Sequence, residues 1–108
     1  MTEHATSFER QLSLTEATEL RAFAELIKEF DNQNDEQFRK LIDAAVNRHR
    51  ITPSELSTEF AVSRASISRW IAGRSVPHPI ARRAVADWLR ERALRTADAI
   101  EAGLDDAA

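Results

Sequence analysis

Apolar side chains recur at helical spacing along most of the chain, and no stretch shows the period-two alternation of a half-buried strand. The first apolar stripe consists of Leu20, Phe23, Ala24, Ile27 and Phe30. Ser13, followed three residues later by Glu16, is a capping-box pattern in front of this stripe. The spacing therefore predicts a helix from about Leu14 to Phe30, preceded by a flexible N-terminus over residues 1–12.

Two further helices are predicted from the same kind of pattern. Asn34 with Gln37 opens a helix that ends at about His49. Its apolar positions are Phe38, Leu41, Ile42, Ala45 and Val46. The last helix is predicted from near Pro79 to about Ala102. Its apolar positions are Ile80, Ala84, Val85, Trp88 and Leu89, followed by the seam Ala93, Ala97, Ile100 and Leu104.

The middle of the chain, "TPSELSTEFAVSRASISRWIAGR", carries start signals for two short helices. Thr52 can cap the first helix, and Glu55 completes a capping box with it. Pro53 suits the first helical position, where its missing N–H group costs nothing. This helix is predicted from about Pro53 to Phe60.

The second short helix begins after Ser63, a favoured N-cap residue, and extends from about Arg64 to Ala72, where Gly73 can end it. Two short helices so close together predict a helix-turn-helix at residues 53–73. The positions expected to point inward are Leu56, Phe60, Val62, Ile67 and Trp70. The positions that the second helix exposes are Arg64, Ala65, Ser66, Ser68 and Arg69. Arginine forks and small hydroxyls can enter a DNA major groove, which predicts nucleic-acid contact.

Charge is distributed unevenly along the 108 residues, whose net charge is −3. Residues 1–49 carry −4, residues 50–95 carry +5 with nine arginines, and residues 96–108 carry −4. Because salt screens charges beyond about 10 Å, a polyanion would respond to the basic middle and not to the average. At the start of the last helix, Arg82 and Arg83 could reach phosphates or simply be surface charge.

The stretch "TPSELSTEFAVSRASISRWIAGRSVP" resembles the helix-turn-helix of the Cro and lambda-repressor class of bacterial and phage regulators, and "RRAVADWL" resembles the closing helix of that fold. The resemblance covers about residues 36 to 92. It implies an all-α, five-helix lambda-repressor-like bundle, here with an extra N-terminal helix and an extended C-terminal helix. Two departures are Ser57, where the class often has alanine, and Ala61, where it often has glycine. Pro53 stands where the class often has a polar phosphate contact.

The resemblance assigns contacts to double-stranded DNA residue by residue. The residues expected to face the bases are Arg64, Ala65, Ser66 and Arg69, to which the exposure pattern adds Ser68. The residues expected to contact phosphates are Thr52, Ser54, Arg74 and Ser75. Ser63 is expected to act as a cap, and Trp70 with Trp88 to lie in the core.

The predicted organisation is a single helical domain over residues 13–92, followed by a C-terminal helix extension and acidic tail over residues 93–108. A homodimer is expected because one recognition helix reads few base pairs. The predicted dimer interface is the seam Ala93, Ala97, Ile100 and Leu104. It is preferred because Ile100 and Leu104 lie too far along to pack on their own domain, although the Leu20–Phe30 stripe is an alternative.

Composition argues against several other classes of protein. The chain has no cysteine, and His4, His49 and His78 lack metal-ligand spacing, so neither a metal nor a cofactor is expected. No nucleophile and base can be paired, which argues against an enzyme. No apolar run reaches the roughly 20 residues of a membrane helix, and no signal sequence is evident, so a cytoplasmic protein without membrane contact is expected.

The hypothesis is a homodimeric, sequence-specific transcriptional regulator, acting as a repressor, with residues 64–72 in the major groove of an operator. Two alternatives stay open. One is an antitoxin whose segment "TADAIEAGLDD" neutralises a toxin, and the other is an antiactivator-type regulator that binds a protein partner through its acidic ends.

Overall fold

The computed structural model describes residues 6–107, with side chains as far as Leu104, and this part of the chain is all-helical without strands. Its five helices are α1 (Ser7–Ile27), α2 (Asp35–Arg48), α3 (Pro53–Phe60), α4 (Arg64–Ala72) and α5 (Pro79–Ala107). The predicted all-α class is therefore confirmed. Among the helices described, none is both long and apolar enough to cross a membrane.

The predicted boundaries of α2, α3 and α4 are confirmed, because each helix begins at its expected cap. The Asn34 side chain accepts a hydrogen bond from the Gln37 N–H group at 3.0 Å. Thr52 and Glu55 form the predicted capping box, in which the Glu55 carboxylate also accepts from the Thr52 N–H group at 2.9 Å. Ser63 accepts from the Ser66 N–H group at 3.0 Å.

The predicted start of α1 is wrong. The helix begins at Ser7, with the Thr6 hydroxyl accepting a hydrogen bond from the Glu9 N–H group at 3.1 Å, and Ser13 lies inside it. The prediction placed the helix start too late because it relied on the apolar stripe. Phe8 and the other early apolar residues of this helix are exposed and do not belong to that stripe. Of the residues expected to be flexible, 1–5 lie outside the described part of the chain.

Helix α5 is longer than expected and passes through Gly103 without ending. A glycine ends a helix when it adopts the left-handed conformation, and Gly73 is the described glycine that does so, at φ 74°. The helix continues to Ala107 instead of stopping at about Ala102.

The chain divides into two compact units, and the division differs from the single domain expected over residues 13–92. The central unit is residues 29–89. The terminal unit is residues 1–28 together with residues 90–108, of which 6–28 and 90–107 are described. The first part of α5 thus belongs to the central unit and the rest to the terminal unit.

The core of the central unit is formed by side chains from every helix in it. The buried residues are Phe30, Phe38, Leu41, Ile42, Ala45, Ile51, Leu56, Ile67, Trp70, Val85, Ala86 and Leu89. The ring of Phe38 packs edge-on against Trp70, with centroids 5.6 Å apart, and Trp88 makes a similar contact with Phe60 at 5.9 Å. Trp70 is buried, which confirms that it lies in the core, whereas Trp88 is only partly buried against the Phe60 ring, at the edge of the core.

In the terminal unit, α1 runs antiparallel to the second part of α5. Arg10 donates to the Leu104 carbonyl, while Arg21 donates to Asp98 at 2.7 Å and forms an ion pair with Glu101. Hydrogen bonding to Arg21 lowers the pKa of Glu101, and the reciprocal bond raises the pKa of Arg21. These contacts show the antiparallel register of the two helices.

The packing in this unit removes the reason for predicting a dimer interface along the C-terminal seam. Ala93 is 1%, Ala97 0% and Leu104 8% exposed, and Ile100 is half-buried. Because α1 lies alongside α5, this seam is buried within one chain and has little apolar surface left for a second copy. The expectation that Ile100 and Leu104 lie too far along the helix to pack on their own domain is wrong.

The turn after α3 leads to a stability prediction. Ala61 is left-handed, with φ 53° and ψ 43°, a conformation that costs a residue with a Cβ atom about 1 kcal/mol. Ala61→Gly is expected to raise the free energy of unfolding by about 1 kcal/mol, and the midpoint of thermal unfolding by about 4–8 °C. Calorimetry checks this. Ala65→Gly, an exposed position inside α4, is the matched control and should lower stability by about 1 kcal/mol. A lower midpoint for Ala61→Gly would contradict the prediction.

Candidate nucleic-acid interface

Helices α3 and α4 are joined by the three residues from Ala61 to Ser63, and the turn is held by Ser57. The Ser57 hydroxyl donates to the Val62 carbonyl at 2.5 Å, and the Val62 N–H group donates back to the Ser57 carbonyl at 3.2 Å. Serine at this position is therefore a functional part of the turn, because its side chain satisfies a carbonyl that alanine could not bond.

Helix α4 is divided into a buried and an exposed face. Ile67 is 0% and Trp70 6% exposed, which fixes the rotation of the helix against α2 and α3. The opposite face carries all five residues predicted to contact bases. Arg64, Ala65, Ser68 and Arg69 are exposed, and Ser66 is half-buried. The sequence pattern thus predicted four of the five exposed positions correctly, with Ser66 half-buried instead, while base contact stays a prediction.

A chain of hydrogen bonds runs along the exposed face of α4. The Ser63 and Ser66 hydroxyl oxygens lie 3.1 Å apart, and Arg69 donates from Nη2 to the Ser66 hydroxyl at 3.1 Å. Arg69 is thereby folded back along its own helix toward the helix N-terminus. Ser66 is a positioning residue for the Arg69 guanidinium, in addition to its predicted role as a base contact.

The N-termini of α3 and α4 differ in charge. The first turn of α4 has no acidic residue, so the partial positive charge of the helix end is not neutralised there. The first turn of α3 contains Glu55, whose carboxylate bonds both the backbone N–H and the hydroxyl of Thr52. An approaching phosphate would meet that carboxylate, which weakens the predicted phosphate contacts of Thr52 and of the half-buried Ser54.

The predicted phosphate contacts after α4 follow a well-defined helix end. The Gly73 N–H group donates to the Trp70 carbonyl at 3.1 Å, and the Arg74 N–H group donates to the Arg69 carbonyl at 2.9 Å. These two bonds around a left-handed glycine form a Schellman motif. Arg74 and Ser75 are both exposed, so the motif presents them directly beyond the end of the helix.

One arginine near this end of α4 was missed by the sequence analysis. A Cβ atom at Gly73 would lie 3.0 Å from Cδ of Arg39, a residue of α2. The Arg39 guanidinium forms two hydrogen bonds of 2.9 Å to Glu36, which lower the pKa of that carboxyl group. In sequence the two residues look like an ordinary exposed pair three positions apart, and only the close approach at Gly73 shows that they lie beside α4.

Arg82 and Arg83 are structural residues and not free phosphate contacts. Arg82 is 6% exposed; it donates to the carbonyls of Pro77 at 2.7 Å and Asn32 at 3.0 Å, and it pairs with Asp35. Arg83 donates to the Phe30 carbonyl at 2.9 Å and lies over its ring. The possibility that these two arginines reach phosphates is therefore not supported.

The central unit as a whole is nearly balanced in charge, although the exposed face of α4 is basic. The central unit contains nine Lys and Arg against eight Asp and Glu, because three arginines of the basic sequence block, at positions 90, 92 and 95, belong to the terminal unit. Within the described residues, no ion pair to a carboxylate is found for Arg64, Arg69 or Arg74. These three arginines offer positive charge to a ligand on and just beyond α4, while the exposed Lys40 and Arg48 of α2 carry further positive charge in the same unit.

Comparison of the chain with protein-family models, with curated proteins and with solved structures finds no match.

Proposed function

We propose that the protein is a sequence-specific DNA-binding regulator of transcription, with a lambda-repressor-like arrangement of its central unit and α4 in the major groove of an operator. The observation that carries the proposal is the exposed face of α4, where Arg64 and Arg69 stand among small residues and have no carboxylate partner in the part of the chain that the structure describes. The buried Ile67 and Trp70 hold this face outward, so the helix can enter a groove without losing its packing.

The assignment of residues to base contacts or phosphate contacts follows from the chemistry of their side chains. An arginine fork can donate two hydrogen bonds to O6 and N7 of one guanine, which discriminates among base pairs. Arg64 and Arg69 are assigned this role, with Ser66 holding Arg69 and with Ala65 and Ser68 small enough to let the backbone approach. Arg74 and Ser75 are assigned to phosphates, which position the protein but carry no sequence information.

The proposal predicts a salt-dependent affinity. With Arg74 as the charged phosphate contact, the logarithm of the association constant should fall by about 1 for each tenfold rise in salt per bound chain, and by more if Arg64 or Arg69 also neutralises a phosphate. Arg74→Gln should reduce this slope by about 1 and weaken binding to all sequences alike. Fluorescence anisotropy on DNA from upstream of the protein's own gene, and on shuffled DNA, measures both quantities.

The experiment also separates the rival functions. Binding that does not distinguish the upstream DNA from shuffled DNA would overturn sequence-specific regulation. No salt-dependent binding to either DNA would leave the fold as a protein-binding module, as in the antitoxin or antiactivator alternatives. Arg95→Gln is the matched control, since it removes an arginine that is also exposed but belongs to the terminal unit, and it should leave the slope unchanged.

A further inference from the structure

The side chain of Arg39 lies beside the end of α4, next to the phosphate contact assigned to Arg74. A Cβ atom at Gly73 would be 3.0 Å from Cδ of Arg39 and 3.9 Å from its Cγ, so the stem of Arg39 crosses the helix end where Gly73 has no side chain. Arg74 is exposed and follows Gly73 directly, with consecutive Cα atoms about 3.8 Å apart. One arginine of α2 and one arginine just beyond α4 therefore border the same small area of surface.

The guanidinium of Arg39 is only partly used by its partner Glu36. Arg39 Nε and Nη2 each donate to one carboxylate oxygen of Glu36 at 2.9 Å. A guanidinium has five N–H groups, so this pairing leaves the two groups on Nη1 and one on Nη2. In the described part of the chain these three groups have no further acceptor, and the Arg39 side chain is 33% exposed. The edge formed by Nη1 and Nη2 can therefore donate two hydrogen bonds to a phosphate while Glu36 stays in place.

We propose that Arg39 is a further phosphate contact of the DNA-binding surface, held in place and partly neutralised by Glu36, and that Glu36 thereby limits the affinity for DNA of any sequence. The inference rests on the proposed function for the position of the DNA, which lies against α4. Arg39 contacts only the DNA backbone and carries no sequence information. Glu36 is a positioning residue, because it acts on the DNA through Arg39.

The Glu36 carboxylate opposes DNA binding for two reasons. It balances the charge of Arg39, so the pair releases fewer counterions from DNA than a free arginine would. It also brings a negative charge, on a side chain that is 59% exposed, close to the phosphate that Arg39 would bond. The nearby Lys40 and Asp43 on the same helix carry opposite charges and offset each other. A weak contact with the backbone of every sequence leaves discrimination to the base contacts of α4.

Fluorescence anisotropy of the full chain on shuffled duplex DNA tests the inference. Glu36→Gln keeps the shape of the side chain and removes its charge, so it should raise the affinity about three- to tenfold. The same change should steepen the fall of the logarithm of the association constant with the logarithm of salt by up to about 1, because Arg39 then neutralises a phosphate without a competing carboxylate. Arg39→Gln should lower the affinity about two- to fivefold with a smaller change in this slope.

A double substitution separates an effect through Arg39 from a general change of charge. When Arg39 is already glutamine, Glu36→Gln should change the affinity by less than about twofold. Glu25→Gln is the matched control, since Glu25 pairs with Lys28 at 2.9 Å and at the same spacing of three residues, but belongs to the terminal unit. It removes the same charge from the same kind of ion pair and should leave DNA binding unchanged.

The outcomes distinguish this inference from the proposed function. An ion pair that only stabilises α2 would give Glu36→Gln an unchanged or lower affinity, and that result would overturn the inference, as would an equal gain in the Arg39→Gln background. The proposed function stands in both cases if the upstream DNA is still preferred to shuffled DNA. The expected changes without such a preference would overturn the proposed function and leave the Arg39 contact standing, whereas a chain that binds neither DNA would overturn both. Circular dichroism verifies that each variant stays helical.

Discussion

Arg69→Ala is expected to weaken operator binding by about 1–3 kcal/mol, which is roughly a 5- to 150-fold loss of affinity, and to relax discrimination at one base pair. The loss comes from a guanidinium that is already held along α4 by the Ser66 hydroxyl, so little ordering of the side chain remains to be done on binding. The double substitution of Arg64 and Arg69 should reduce binding to the level found with shuffled DNA.

Anisotropy titrations against the operator and against single-base variants of it measure this effect. Arg95→Ala removes the same side chain from an exposed position in the terminal unit and should leave affinity and discrimination unchanged. Ser66→Ala should fall between the two, because Arg69 stays but loses its positioning partner. If Arg69→Ala lowers affinity for every sequence by the same factor, Arg69 contacts phosphate and its assignment as a base contact is wrong.

Phe38→Ala is expected to lower the free energy of unfolding of the central unit by about 3–5 kcal/mol. Phe38 is 0% exposed and its ring contacts both Trp70 at 5.6 Å and Phe30 at 6.4 Å between centroids. Truncation leaves a cavity directly behind α4, since Trp70 is one of the two side chains that bury that helix. A loss of this size is comparable to the whole stability of a small domain.

Urea unfolding followed by tryptophan fluorescence measures the loss, because both tryptophans lie in the central unit. Phe8→Ala is the matched control, since it makes the same chemical change at a residue that is 71% exposed. It should change the stability of the monomer by no more than about 0.5 kcal/mol. Equal effects of the two substitutions would contradict the assignment of Phe38 to the core.

The sequence was sufficient where a helix had its own local start and stop signals. Asn34, Thr52 and Ser63 each cap the helix that follows, and Gly73 ends α4, so four boundaries could be predicted before any tertiary contact was known. These features depend on hydrogen bonds within three or four residues, which spacing along the chain reports directly.

Features that depend on contacts far apart in sequence could not be predicted in the same way. The seam of α5 resembled a free interface because its partner, α1, lies about 80 residues away along the chain, as the bond between Arg21 and Glu101 shows. Arg82 resembled a surface charge because its carbonyl partners lie in two separate loops. Counting charges over consecutive stretches of sequence likewise placed Arg90 in the basic middle of the chain. In the structure, Arg90 belongs to the terminal unit.

The contacts of Arg82 have a consequence for how this protein can vary. One guanidinium bonds the carbonyls of Asn32, before α2, and Pro77, before α5, while the Asn32 amide donates to the Pro79 carbonyl at 3.2 Å. The two connecting loops are thus tied into one closed ring of bonds. An inserted or deleted residue in either loop would displace the other, so related chains that keep this arginine should keep both loop lengths together.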